Sequence, residues 1–132
     1  MKIDSQSRSI YLAVGFGGMV GAVGRYGISS LTPVEIGFPY GTLTANLIGC
    51  FLLSFILGQP AIKEKIAPHL FAAITTGVIG SFTTFSTFMV ETVNLYNSTI
   101  VLALGYVFLS IVGGLLFCYT GFWVANRRCV DS

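Results

Sequence analysis

The most chemically suggestive part of this sequence is the run from Gly80 to Phe88, GSFTTFSTF, in which serines and threonines are interspersed with three phenylalanines. The run overlaps a stretch without Asp, Glu, Lys or Arg, Ile66 to Val90, which is long enough to cross a bilayer as a helix. Hydroxyl groups at membrane depth must bond to protein, to water or to a ligand. The run therefore indicates a polar site inside a membrane.

The glycines and β-branched threonines of this segment weaken a helix. A local break near Gly77–Thr83 would release backbone carbonyls, which need a partner at this depth, and a bound cation is a suitable one. The alternative is an unbroken helix whose hydroxyls bond back to carbonyls four residues earlier. The residue pattern leaves both possibilities open.

The phenylalanines of the run recur every third residue and therefore share one helix face. A stripe of this kind usually packs against other apolar groups. The edge of an aromatic ring is nevertheless positive, and it can receive an anion without a formal charge. A neighbouring face carries Thr84, Thr87 and Glu91.

Two further polar rows lie in other uncharged stretches, Thr42 with Asn46 and Tyr106 with Ser110, each pair at helical i, i+4 spacing. One such row often joins two helices by hydrogen bonds, whereas three converging rows indicate a polar path. Arg25 is always charged, and it would either cap helix carbonyls or concentrate anions at a pore mouth.

The elements that must position these groups follow from the charges. The 132 residues include seven basic and five acidic ones, far fewer than the roughly 25% charge of a soluble domain. The chain is therefore expected to form one all-α membrane domain, residues 1–132, with four transmembrane helices. The expected spans are residues 10–30, 40–57, 68–95 and 99–126.

The same composition argues against other classes of protein. A net charge of +2 gives no indication of a nucleic-acid partner. His69 stands apart from any serine and acid that could complete a catalytic group, so an enzyme is not expected. The alternative function is a four-span proton-coupled exporter of small molecules. Such a carrier needs a titratable carboxylate in its substrate path, and Glu91 lies near the end of its span.

Several motifs together resemble the small bacterial fluoride channels known as the Fluc or CrcB family. They are Gly21-Ala22 with Arg25-Tyr26, the run GTLTANLIG at 41–49, Thr76-Gly77, and TTFSTF at 83–88. The resemblance covers nearly the whole chain. It implies that the third helix is broken mid-membrane. It also implies an antiparallel dimer that exports fluoride passively through two pores in the cell membrane and so lowers fluoride toxicity.

The resemblance also implies roles for particular residues. A central sodium ion would be held by the backbone carbonyls of Gly80 and Thr83. The mouth of the pore would carry Arg25 and Glu91. Where some relatives have a further serine on the fourth helix, this chain has Gly114. The expected fluoride pore is formed by Asn46, Phe85, Phe88, Thr42, Tyr106, Ser110, Thr84 and Thr87.

The distribution of basic residues predicts the orientation. With four spans, six basic residues fall on one side, while the other side has at most Arg25; the six are Lys2, Arg8, Lys63, Lys65, Arg127 and Arg128. The positive-inside rule then favours both termini in the cytoplasm. A chain that inserts both ways should show almost no bias. The partner in the antiparallel dimer is therefore either a second copy of the chain or an oppositely oriented paralogue.

Overall fold

The computed structural model of the chain describes residues 5–32 and 37–130, and the side chains of residues 6–32 and 37–127. Throughout these residues the regular structure is helical. Lys2, the loop residues Pro33 and Glu35, and the Arg128 side chain lie outside the described part. The helices are α1 (Ser5–Leu31), α2 (Tyr40–Leu57), α3 (Pro60–Lys65), α4 (Pro68–Ala72), a π-helix (Ala73–Ile79), α5 (Gly80–Phe82), α6 (Phe85–Ser98) and α7 (Ile100–Val130).

Three segments of the described chain are long and apolar enough to cross a membrane, namely Tyr40–Leu57, Pro68–Ser98 and Ile100–Arg127. The first of these has the bounds expected for the second span. Of the other two, Pro68–Ser98 continues three residues past the expected end of 68–95, and Ile100–Arg127 is shifted by one residue from the expected 99–126. Helix α1 has 27 residues and is about 40 Å long. That it crosses the membrane, as the first of the four expected spans, stays a prediction.

The third span is broken, which is one of the two possibilities that the residue pattern left open and the one that the family resemblance implies. Its first half runs through α4, the π-helix and α5, and its second half is α6. Between them Thr83 and Thr84 are extended, with ψ angles of 156° and 127°. The break lies at the end of the expected interval, Gly77–Thr83, because the weak helix formers around Gly77 widen the helix to a π-turn instead of ending it.

Helix α1 packs against this first half at backbone distance. A side-chain carbon on Gly21 would overlap the carbonyl of Val78, and one on Gly17 would overlap the carbonyl of Ala73. The two glycines are a GxxxG pair, the pattern that lets helix backbones approach closely in membranes. This contact fixes the position of α5, and therefore of the break that follows it.

The remaining packing surrounds Tyr106. Helix α7 packs against both α2 and α6, and the Tyr106 ring lies fully buried between them. Leu95 and Ala103 complete this small core, with Phe88 packed against it. Large apolar side chains are exposed along α1, α6 and α7, as expected for surfaces that face lipid or a second chain.

Candidate functional site

The break in the third span is held by one side chain from α2. The amide Nδ2 of Asn46 donates to the Thr84 carbonyl at 3.0 Å, and the Thr84 N–H donates to Asn46 Oδ1 at 2.8 Å. The primary amide thus pairs with the backbone as a neighbouring strand would. Asn46 was expected to supply donors to a pore, and the structure places it as a clamp on the extended backbone.

Thr84 also begins the helix that follows. Its hydroxyl oxygen accepts from the Thr87 N–H at 3.3 Å, the usual N-cap bond, and donates to the Thr87 hydroxyl at 3.0 Å. The two expected pore hydroxyls are therefore bonded to each other and fix the first turn of α6. Because Thr87 is the acceptor in their mutual bond, its own hydroxyl hydrogen does not take part in that bond.

The same bonds determine which carbonyls the break releases. In a continuous helix the N–H groups of Thr84 and Thr87 would donate to the carbonyls of Gly80 and Thr83. Both N–H groups donate to side-chain oxygens instead. A carbon on Gly80 would have nothing within 4 Å, so this residue faces open space. The two carbonyls expected to hold sodium are thus among those that lose their helical donors at the break.

Arg25 bonds to a backbone carbonyl just before the break. Its Nε–H donates to the carbonyl of Ser81 at 3.2 Å, and the residue is partly buried against the first half of the broken helix. The sequence left open whether Arg25 caps carbonyls or lies at a pore mouth. The structure places it as a cap.

The expected polar rows meet at Glu91. One carboxylate oxygen accepts from the Thr42 hydroxyl at 2.8 Å, and the other accepts from the Tyr106 hydroxyl at 2.8 Å. This places α2, α6 and α7 around a single carboxylate. A polar cavity of about 320 Å³ opens beside it and is lined by residues that include Ser29, Thr32, Asn94 and Ser98. Glu91 therefore lies between this cavity and the buried Tyr106.

A second cavity, of about 420 Å³, lies on the face of the break that points away from α1. Phe85 is 73% exposed at its edge, and the Phe85 and Phe88 ring centroids are 5.9 Å apart. The Ser110 hydroxyl is buried here and is the one buried side-chain polar atom without a hydrogen-bond partner in the described part of the chain. An unpaired donor beside two aromatic rings is a suitable site for a small anion.

Sequence reasoning missed two contributors. Phe38 meets the Tyr106 ring edge-on at a centroid distance of 5.4 Å and closes the core over Glu91. Ser81 contributes its carbonyl, the acceptor for Arg25. The aromatic residue before Pro39 was a visible signal for the first. No side-chain signal exists for the second, since any residue at position 81 offers the same carbonyl.

Comparison with known proteins identifies the family. The sequence profile described as "CrcB-like protein, Camphor Resistance (CrcB)" matches residues 12–122. The chain belongs to the CrcB family. Similar proteins include the "Fluoride-specific ion channel FluC 1" of Desulfitobacterium hafniense, which is 44% identical over 110 residues, covering 83% of this chain and 96% of that protein.

Two other relatives carry similar names. The "Fluoride-specific ion channel FluC 2" of Geobacillus kaustophilus is 43% identical over 120 residues, which cover 89% of this chain and 93% of the relative. The "Fluoride-specific ion channel FluC" of Chlorobium phaeobacteroides is 41% identical over 117 residues, 87% of this chain and 91% of the relative. The resemblance seen in the sequence motifs is thus confirmed, and the long apolar helices agree with a membrane protein.

Proposed function

We propose that this CrcB-family chain is a fluoride-selective, passive ion channel of the cell membrane and not an enzyme. The observation that carries the proposal is the buried, unpaired hydroxyl of Ser110 beside the rings of Phe85 and Phe88. A buried donor without an acceptor is costly, and a permeating anion would supply the acceptor. The names of the relatives identify that anion as fluoride.

The chemistry of the cavity suits fluoride. Fluoride is small and strongly hydrated, so its path must replace water with hydrogen-bond donors or positive ring edges. The cavity lining contains neutral side chains such as Asn46, Thr84 and Ser110, which an ion can leave as easily as it enters. Arg25 would bind an anion too tightly to release it, but it is not among the residues that line this cavity.

We propose that fluoride enters this cavity from the polar cavity at Glu91. The Thr42 and Tyr106 hydroxyls donate to the carboxylate there, so they reduce its repulsion of an approaching anion. The Tyr106 hydroxyl would then affect fluoride indirectly, by reducing the repulsion from the Glu91 carboxylate. The Ser110 hydroxyl would donate a hydrogen bond to the ion itself. Phe85 and Phe88 would line the passage between the two.

The carbonyls of Gly80 and Thr83 fit a sodium ion. Their helical donors are turned to Asn46 and Thr84, and Gly80 faces open space. Neutral carbonyl oxygens are ligands for a hard cation. When bound, sodium would neutralise the negative ends of these carbonyl dipoles. Two carbonyls do not complete a coordination shell, so a second chain would have to supply the same pair.

A second chain also accounts for the exposed side of the break. Phe85 is more exposed than the other aromatic residues of its helix face, although rings that bind an anion must exclude water. We propose an antiparallel dimer in which this face is covered by a second copy or by an oppositely oriented paralogue. The basic residues Lys63, Lys65 and Arg127 support cytoplasmic termini for this chain.

The test is fluoride efflux from liposomes that contain this chain alone. Fluoride efflux should be large, and chloride efflux should stay near that of protein-free liposomes. The Ser110→Ala variant, which keeps the packing volume close to that of serine, should slow fluoride efflux. Efflux that depends on a proton gradient with fixed stoichiometry would contradict the proposal and favour a proton-coupled exporter.

A further inference from the structure

Side chains from two different helices bond to the backbone at the break. On the α2 side Asn46 bonds to both backbone polar groups of Thr84, the N–H and the carbonyl. On the α1 side Arg25 bonds to the Ser81 carbonyl. Between these two clamps lie the carbonyls of Gly80 and Thr83, whose helical donors are diverted. The neighbouring side chains therefore select which carbonyls remain for another partner.

The Arg25 bond stands in for a helical hydrogen bond at one position. In a continuous helix the Ser81 carbonyl accepts from the N–H of Phe85. Here it accepts from Arg25 Nε, and Phe85 instead begins α6 with its ring at the cavity. Because the guanidinium is charged under all conditions, this donor is never lost by deprotonation.

The approach of α1 fixes the reach of Arg25. A carbon on Gly18 would lie 3.1 Å from the Ser81 hydroxyl oxygen, and a carbon on Gly24 would lie 3.4 Å from the Phe82 ring. Helix α1 thus lies close to α5 at Gly24, one residue before Arg25, and at Gly18, two turns before Arg25. The guanidinium has a short, fixed path to the Ser81 carbonyl.

We propose that Arg25 is a positioning residue that keeps the third helix open at Ser81, and so leaves the carbonyls of Gly80 and Thr83 to a monovalent cation. The cation half of this inference rests on the sodium site in the proposed function. Arg25 takes the Ser81 carbonyl away from the cation, and its positive charge disfavours a divalent ion nearby. Through Phe85, the first residue after the break, the same bond sets the start of α6.

Hydrogen–deuterium exchange of the reconstituted dimer tests this role without measuring transport. Arg25→Met removes the donor and the charge, whereas Arg25→Gln keeps an N–H at the position of Nε and removes the charge together with the two Nη groups. Arg8→Gln, at an exposed site on the same helix, is the matched control. Each protein is compared in sodium chloride and in N-methylglucamine chloride at equal ionic strength.

We expect amides between Thr83 and Phe88 to exchange at least about fivefold faster in Arg25→Met than in wild type, because one of the two clamps is lost. Arg25→Gln should stay within about twofold of wild type, as should Arg8→Gln. Removing sodium should speed exchange of this segment in wild type and have a smaller effect in Arg25→Met. Peptides from α7 should not change.

Unchanged or slower exchange of this segment in a dimeric Arg25→Met protein would overturn the proposal. If that variant does not fold, the Arg25→Gln variant decides. Amide exchange at the wild-type rate supports the role of Arg25 as a donor, and exchange more than about fivefold faster than in wild type overturns it. Fluoride efflux of the same wild-type sample tests the channel separately. If wild type shows no fluoride efflux but Arg25→Met still exchanges faster than wild type, the channel function is rejected and the role of Arg25 stands. If amide exchange in wild type does not respond to sodium, the proposed cation site is rejected.

Discussion

The Asn46 clamp predicts a specific cost of losing one amide. In Asn46→Ala the Thr84 N–H and carbonyl both lose partners, at 2.8 and 3.0 Å, in a partly buried site. An unsatisfied buried group costs about 1–3 kcal/mol. The pair should therefore cost roughly 2–6 kcal/mol per chain, and the partial burial favours the lower end of that range. The unfolding temperature of the purified protein should therefore fall by about 5–10 °C.

The assay is loss of the monodisperse peak in size-exclusion chromatography after heating, followed by fluoride efflux on the unheated samples. Thr44→Ala, an exposed position on the same helix, is the control and should unfold like wild type. Asn46→Asp places an oxygen against the Thr84 carbonyl in place of the Nδ2 donor, so it should be destabilised as well. If Asn46 only offered donors to fluoride, Asn46→Ala would lose efflux and keep its unfolding temperature. That result would refute the clamp.

Further outcomes follow from other contacts. Phe85→Ile should slow fluoride efflux with little change in unfolding temperature, since this ring is 73% exposed, and wild-type efflux would reject its pore role. Tyr106→Phe removes the donor to Glu91, so it should cost about 1.5–3 kcal/mol of unfolding free energy and slow efflux; unchanged unfolding in denaturant would contradict this. Gly21→Ala should destabilise by roughly 1–3 kcal/mol because its new carbon meets the Val78 carbonyl, whereas Gly27→Ala, with nothing within 4 Å, should not. A cysteine at the N-terminus should be labelled mainly from the cytoplasm in cells, and equal labelling from both sides would indicate dual topology.

Much of the fold could be predicted because charge and hydropathy are local properties of the sequence. The uncharged stretches predicted the apolar helices. The threonines and glycines allowed a break in the third one, and the family resemblance implied it. The convergence of Thr42, Glu91 and Tyr106 followed from three rows at helical spacing, and the structure brings these residues together.

The position and chemistry of the break were less predictable. Thr84 becomes extended because its N–H is taken by Asn46, a residue 38 positions away in the sequence. The role of Arg25 depends on the carbonyl of Ser81, and carbonyls carry no sequence signal. Patterns of residue types predicted which side chains are polar at depth. They did not predict whether each one bonds to backbone, to another side chain or to an ion.

The π-helix from Ala73 to Ile79 gives the third span a tolerance for a change of length. A π-turn contains one more residue than an α-turn. Deleting one residue here would let the segment rewind as an α-helix, so Ser81 would still face Arg25 and Gly80 would still face the cavity. A one-residue deletion between Gly18 and Gly24 in α1, which is α-helical throughout, would instead rotate Arg25 by about 100° relative to Gly17. The deletion in the π-helix should therefore be the better tolerated of the two.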